Sequence, residues 1–419
     1  MKKCLLFAAA TLAGLASCSQ NEIENINNPQ DNAIQFGTYL GQSATTKGTE
    51  TTTTSIQTSG FGVSAFYTGQ NNFGAMQTAT PDFMYDQKVE YSPSSGAWSY
   101  SPIKYWPTTQ GDKLSFFAYA PYRTNENGIS LKSENTSHAG APTLSITLQS
   151  PDKMIDFVAA SVIDAKHDNT THNDKVTFNF LHEMTRVGIK AKVSEDVYNR
   201  SSDNAANKTK VVITGIKFDA GDKIYKSAIY TFSATSTGNN TKGTWEDFTT
   251  TTEAIDLSSI LNLGEVKMAN NKYTKGNAIA LEGTDAVDLL NEASATNKKY
   301  LFLIPVENLA SDAATATISY DIVTEDANLN KGYSCTSATK KVNLPAGTLA
   351  QGKAYTYTFV INVDEVELEA AVTNWDTETN GNATVDYPST DVTASISGIQ
   401  FPDGTNIGGV TEGNPDDID

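Results

Sequence analysis

The chain is short of the residues that most chemistry needs. Its 419 residues hold three cysteines and four histidines. Arginine stands only at Arg123, Arg186 and Arg200. With 30 basic against 48 acidic side chains and a net charge of −18, the chain lacks the clustered Lys and Arg that bind nucleic-acid phosphates. No GxGxxG, P-loop, HExxH or CxxC motif occurs. These absences predict a protein that is not an enzyme and holds no cofactor. Long apolar runs are also missing. The strongest, Cys4 to Gly14, is too short for a stable transmembrane helix. Nothing alternates a strand pattern with a long helix pattern, which excludes a doubly wound parallel sheet.

What the chain has is threonine, tyrosine and phenylalanine. The 53 threonines and 35 Tyr plus Phe favour pleated, half-buried surfaces. Period-two apolar alternation recurs along the chain. It marks a first strand at Ala33–Leu40 with Ile34 and Phe36 on one face. Others carry Phe61, Val63 and Ala65; Leu114, Phe116 and Ala118; Leu144, Ile146 and Leu148; and Val187, Ile189, Ala191 and Val193. Near the end, Tyr355, Tyr357, Phe359, Ile361 and Val363 share a face, then Val366, Leu368, Ala370 and Val372. Residues 41–59 show no apolar period and are predicted to form an exposed loop. Short helical patches are predicted at Glu253–Leu263 and at Thr284–Ala293, the second capped by Thr284. The polar stretch Asp164–Asp174 reads as a domain boundary. Many short strands in two blocks predict an all-β protein of two antiparallel β-sandwiches, at 32–168 and 169–388.

The N-terminus is a processing segment. Lys2 and Lys3 precede the apolar run, and Leu15-Ala16-Ser17-Cys18 resembles a lipoprotein cleavage site. Residues 1–17 are then a signal peptide, Cys18 is the acylated residue, and 18–31 tether the protein to a membrane. Only Cys335 is left, so no intramolecular disulfide can form. Loss of Lys2 and Lys3 takes the charge to −20, which favours solubility outside the cell.

Candidate chemistry is sparse. His167 and His172 stand among Asp164, Asp168 and Asp174, a set of metal-ligand types. A solvated connector explains them as well, because a metal site needs fixed geometry and outer hydrogen bonds. Trp98, Trp106, Trp245 and Trp375 could stack on sugars, but scattered singly they suit packing.

Several segments together resemble the fimbrillin family of two-domain pilus subunits. They are Ile34-x-Phe36 after the lipoprotein site, Gly60-Phe61-Gly62-Val63-x-Ala65-Phe66, and Ile103-Lys104-Tyr105-Trp106-Pro107. Leu114-Ser115-Phe116-Phe117-Ala118-Tyr119-Ala120-Pro121 follows, then Phe178-Asn179-Phe180-Leu181-His182-Glu183-Met184-Thr185-Arg186-Val187. The last are Gly352-Lys353-Ala354-Tyr355-Thr356-Tyr357 and Asn374-Trp375. The resemblance implies two transthyretin-like sandwiches, export as a lipoprotein, and assembly with other fimbrial subunits into an extracellular fimbrium. It also implies maturation by a protease that cuts after a basic residue behind the first strand, often Arg. Here that residue is Lys47, alone between Lys3 and Lys88, which places the cut at Lys47-Gly48. His182 is expected to be a buried, hydrogen-bonded histidine.

A sandwich that loses its first strand bares unpaired backbone groups and an apolar floor, which an extended segment of another subunit can fill. The tail 389–419 is the candidate donor. Val392, Ala394 and Ile396 alternate in it, and Ile399-Gln400-Phe401 repeats Ile34-Gln35-Phe36 of the removable strand. Gly215-Ile216-Lys217-Phe218 carries a similar pattern inside a sandwich. Two other readings stay open at this point: a lipid-retaining anchor or tip subunit, and a surface lipoprotein that binds glycans. The receptor is not legible.

Overall fold

The run Leu114-Ser115-Phe116-Phe117-Ala118-Tyr119-Ala120 presents large apolar side chains to both faces of a strand, so it must be covered twice. In a computed structural model of the protein this run lies in strand β5 (Lys113–Ala120), between two cores. The structure describes residues 32–40 and 50–375, apart from 77, 133–138, 168–174, 196, 198–208, 220–223, 236–240, 251–252, 269–271, 292–297, 307–308, 310–313, 348 and 363–364.

Among the described residues the strands form four sheets. The first has seven strands in the order β1 (Gln35–Leu40), β9 (Lys175–His182), β8 (Val158–Lys166), β5, β2 (Phe61–Gly69), β3 (Met84–Ser92) and β4 (Ala97–Ser99). The second holds β13 (Thr244–Thr250), β12 (Tyr225–Thr231), β7 (Thr143–Thr147) and β6 (Ile129–Leu131). The third runs β17 (Val287–Asp288), β10 (Thr185–Val193), β21 (Lys353–Ile361) and β22 (Val366–Asn374), with β18 (Leu301–Leu303) also on β10. The fourth runs β15 (Gly264–Lys267), β16 (Thr274–Leu281), β11 (Thr209–Asp219), β19 (Thr315–Glu325) and β20 (Tyr333–Asn343), with β14 (Ile255–Asp256) on β11.

The seven-stranded sheet curls around its own core of Ile34, Phe36, Phe61, Phe116, Phe178 and Phe180. Its other face, with Phe66, Phe117 and Tyr119, packs on Leu144, Ile146 and Tyr230 of the four-stranded sheet. That second core continues into the third and fourth sheets through Val187, Ile189, Ile216, Ile318 and Tyr357. Gly62 belongs to this arrangement, because a Cβ there would run into the Tyr119 ring.

The all-β class matches the sequence reading, and β10 alternates along its whole length as Val187, Ile189, Ala191 and Val193 predict. Four expectations need correction. The 168/169 boundary does not separate two sandwiches. Strand β9 pairs with β8 and β1, so the polar stretch joins neighbours within one sheet. The chain leaves that sheet only at Glu183-Met184, and β7 pairs across with β12. The pairing is not wholly antiparallel, since β1 runs parallel to β9 and β10 parallel to β21. Residues 41–59 are not exposed throughout, since Glu50 and Thr51 are buried. Residues Thr53–Ser59 form a short helix, α1, whose Ile56 is fully buried. Its start is fixed by a reciprocal cap. Thr52 Oγ1 accepts from the Ser55 amide at 3.0 Å, and Ser55 Oγ accepts from the Thr52 amide at 2.7 Å. The two predicted helices also fail. Leu257, Ile260 and Leu261 have helical spacing, yet β14 pairs with β11 and leaves a single 3-10 turn at Leu257–Ser259. In the other, Val287–Asp288 pairs with β10.

Replacing Ile56 by Ala should lower unfolding stability by about 2–5 kcal/mol, whereas Thr54→Ala on the exposed side should change it by no more than about 0.5 kcal/mol. Denaturant titration of the two variants checks this, and equal small losses would mean that α1 does not anchor the segment.

Candidate functional site

The first strand is gripped from two sides. From Gln35 to Leu40 it lies in parallel register with Lys175 to Phe180 of β9. Just before, the chain meets the segment after β4. The Ile34 amide donates to Lys104 O at 2.9 Å, the Trp106 amide donates to Asn32 O at 3.0 Å, and Tyr100 Oη donates to Ile34 O at 2.9 Å. Burial raises the pKa of the Tyr100 phenol, which keeps it a donor. Ile34, Phe36 and Leu40 point inward and are buried, while Tyr39 is exposed. The Phe36 ring lies 5.2–6.1 Å from the rings of Tyr100, Phe178, Phe116 and Phe61. At the far end the Leu40 amide donates to Thr53 Oγ1 at 3.2 Å. Residues 41–49 therefore depart from and return to pinned positions.

A second constellation lies at the junction of the sheets. The Glu50 side chain is fully buried, an expensive place for a carboxylate unless it is paired. Arg186 Nη1 donates to both its oxygens at 2.9 Å, and the Trp375 indole N–H donates to it as well. Burial raises the Glu50 pKa, Arg186 lowers it, nearby Asp156 raises it, and the Trp375 bond lowers it again. Beside it, Thr51 donates its amide to Asp156 Oδ2 at 2.7 Å and its hydroxyl to Asp156 O at 2.6 Å. His182 Nδ1 sits 2.9 Å from Asp156 Oδ2, and its ring stacks on Trp375 at 3.9 Å. The Arg186 guanidinium lies over the rings of Tyr300 and Trp375, at 4.6 and 5.2 Å. Gly352, at φ +64°, lets Lys242 reach His182 O at 2.8 Å, since a Cβ there would meet the lysine head. These carboxylates face donors fixed at distant points of the chain, an arrangement that holds elements together.

Residues 46–375 match the family model described as fimbrillin-like. The chain belongs to the fimbrillin-like family. This family consists of fimbrial structural subunits and not of enzymes. The chain is 29% identical over 407 residues to a protein of Phocaeicola vulgatus named fimbrium subunit Fim1C, covering 92% of this chain and 99% of that one. It is similar to the crystal structure of a fimbrial protein from Bacteroides vulgatus, with a TM-score of 0.67 and 26% identity, covering 82% of this chain and 99% of the other.

Against that membership the predicted residues sort clearly. Ile34 and Phe36 sit at the edge of the seven-stranded sheet, over an apolar floor. His182 is buried and hydrogen-bonded, as expected. His167 stacks on Trp106 at 5.8 Å, and no group of three metal-ligand side chains occurs among the described residues. Cys18, Lys47, Gly48, His172, Val392, Ala394, Ile396, Ile399 and Phe401 lie outside the described residues. Sequence reasoning missed Glu50, Asp156 and Arg186 as a group. The available signal was the scarcity of arginine: one of three stands inside the motif around His182.

The Phe36→Ala substitution should cost about 3–5 kcal/mol of β1 attachment, which is about two to four decades in amide exchange at Gln35–Leu40. Hydrogen exchange of the whole protein measures it. A change under about threefold would mean that Phe36 does not hold the strand.

Proposed function

We propose that this chain is a structural subunit of a cell-surface fimbrium, supports adhesion, and polymerises by exchanging its first strand for a segment of a neighbouring subunit. The observation that carries the reading is the position of β1: an edge strand, seated parallel to β9, attached forward only through residues 41–49. Burial of Ile34, Phe36 and Leu40 contributes about 1.5–3 kcal/mol each. Covalent connection keeps the strand at high effective concentration beside its seat. A cut at Lys47-Gly48 removes that advantage. Rebinding of a free strand then costs an estimated 4–15 kcal/mol of lost translational and rotational freedom, comparable with what its side chains contribute. The strand can therefore leave, and a segment supplied by an adjacent subunit can take the seat. The alternation of Val392, Ala394 and Ile396 and the repeat Ile399-Gln400-Phe401 support the C-terminal tail as that segment. Pro402 ends it, because proline offers no ladder donor. Before processing, acylation of Cys18 anchors the subunit to the outer membrane.

Mass spectrometry of subunits taken from fibres should find a chain that begins at Gly48. Fibres whose subunits keep residues 33–47 would refute the exchange and favour a lipid-retaining anchor. Deletion of residues 389–419, or Ile399→Asp with Phe401→Asp, should leave a folded monomer that forms no fibres, because charge cannot enter the apolar seat. Fibres of normal length from either variant would place the donor elsewhere.

Cys18→Ala should abolish acyl labelling of the precursor and reduce surface display. Unchanged labelling in radiolabelled-fatty-acid experiments would overturn the lipid assignment.

A further inference from the structure

The buried constellation at Glu50 joins two points that matter for a processed chain. Glu50 stands three residues behind Lys47, and Trp375 follows directly on β22. Between them stands Arg186, at the start of β10, which binds the carboxylate of one and lies over the ring of the other. His182, the final residue of β9, stacks on the same indole. We propose that Glu50, Arg186 and Trp375 form a clasp that ties the start of the processed chain to the end of β22 and stays shut when β1 leaves.

Three observations carry this. The clasp shares no residue with the floor under β1, whose core comprises other side chains. Both partners of the ion pair are shielded from water, the carboxylate fully and Arg186 with 11% of its side chain exposed, so the pair is little screened by salt. Thr51 adds a second tie to Asp156, which in turn binds His182. The edge that receives a strand and the end of β22 are thereby parts of one unit. The relevance to fibres rests on the polymerisation reading above, but the clasp itself does not.

The test uses the intact, unprocessed chain and the exchange rates of its four indole N–H groups in NMR. Glu50→Gln should speed exchange of the Trp375 indole by tenfold or more and leave those of Trp98, Trp106 and Trp245 unmoved. Trp375→Phe keeps an aromatic ring and deletes the donor. It should speed exchange of the Thr51 amide by a similar factor. In Phe36→Ala, where β1 opens readily, the Trp375 indole should keep its wild-type rate. An unchanged Trp375 indole in Glu50→Gln, or one freed together with β1 in Phe36→Ala, would overturn the proposal. Failure of fibres to form while these rates behave as stated would count against the polymerisation reading alone.

Discussion

A single sheet edge organises this molecule. Strand β9 pairs with β8 at Leu181–His182 and offers the backbone groups of Lys175–Phe180 to β1. An uncovered edge invites pairing with any extended chain. Here the invitation is answered from within, by a strand that brings Ile34, Phe36 and Leu40 down onto a floor of Phe61, Phe116 and Phe178. The parallel sense matters. A parallel neighbour cannot be joined to β9 by a tight turn, so β1 comes from far away in the chain. The proposed exchange of a strand so placed requires no unthreading of the rest of the fold.

The remainder of the protein is held by contacts that lie outside β1. Strand β5 is covered on both faces, and its outer face belongs to a core that runs without interruption into the sheets of the C-terminal half. The halves are further joined by β7 on β12 and by the buried contacts of Glu50, Asp156, His182, Arg186 and Trp375. Little of this depends on β1.

Much of this was legible in the sequence. Alternation located the strands, because a half-buried strand must show a period of two, and the motifs from Gly60 to Trp375 pointed to the family that residues 46–375 match. What alternation cannot carry is which strands are neighbours. The polar stretch 164–174 looks the same whether it separates domains or connects β8 to β9 within a sheet. Helix α1 escaped because a Thr-rich segment with one buried apolar residue, Ile56, has no period to read, and its cap uses Ser55 where Glu or Gln is usual. Leu257, Ile260 and Leu261 misled in the opposite sense, since tertiary pairing of β14 overrode a helical spacing. The clasp was invisible because its members lie far apart in the chain and only folding brings Glu50 to Trp375.

The most direct test of the account is the structure of the assembled fibre by electron cryomicroscopy, read at the edge of β9. The account predicts that no residue of the same chain's Ile34–Leu40 occupies that edge, and that Ile399 and Phe401 of a neighbouring subunit lie over Phe178 in their place. Density for the subunit's own Ile34 and Phe36 still seated against β9 would contradict it.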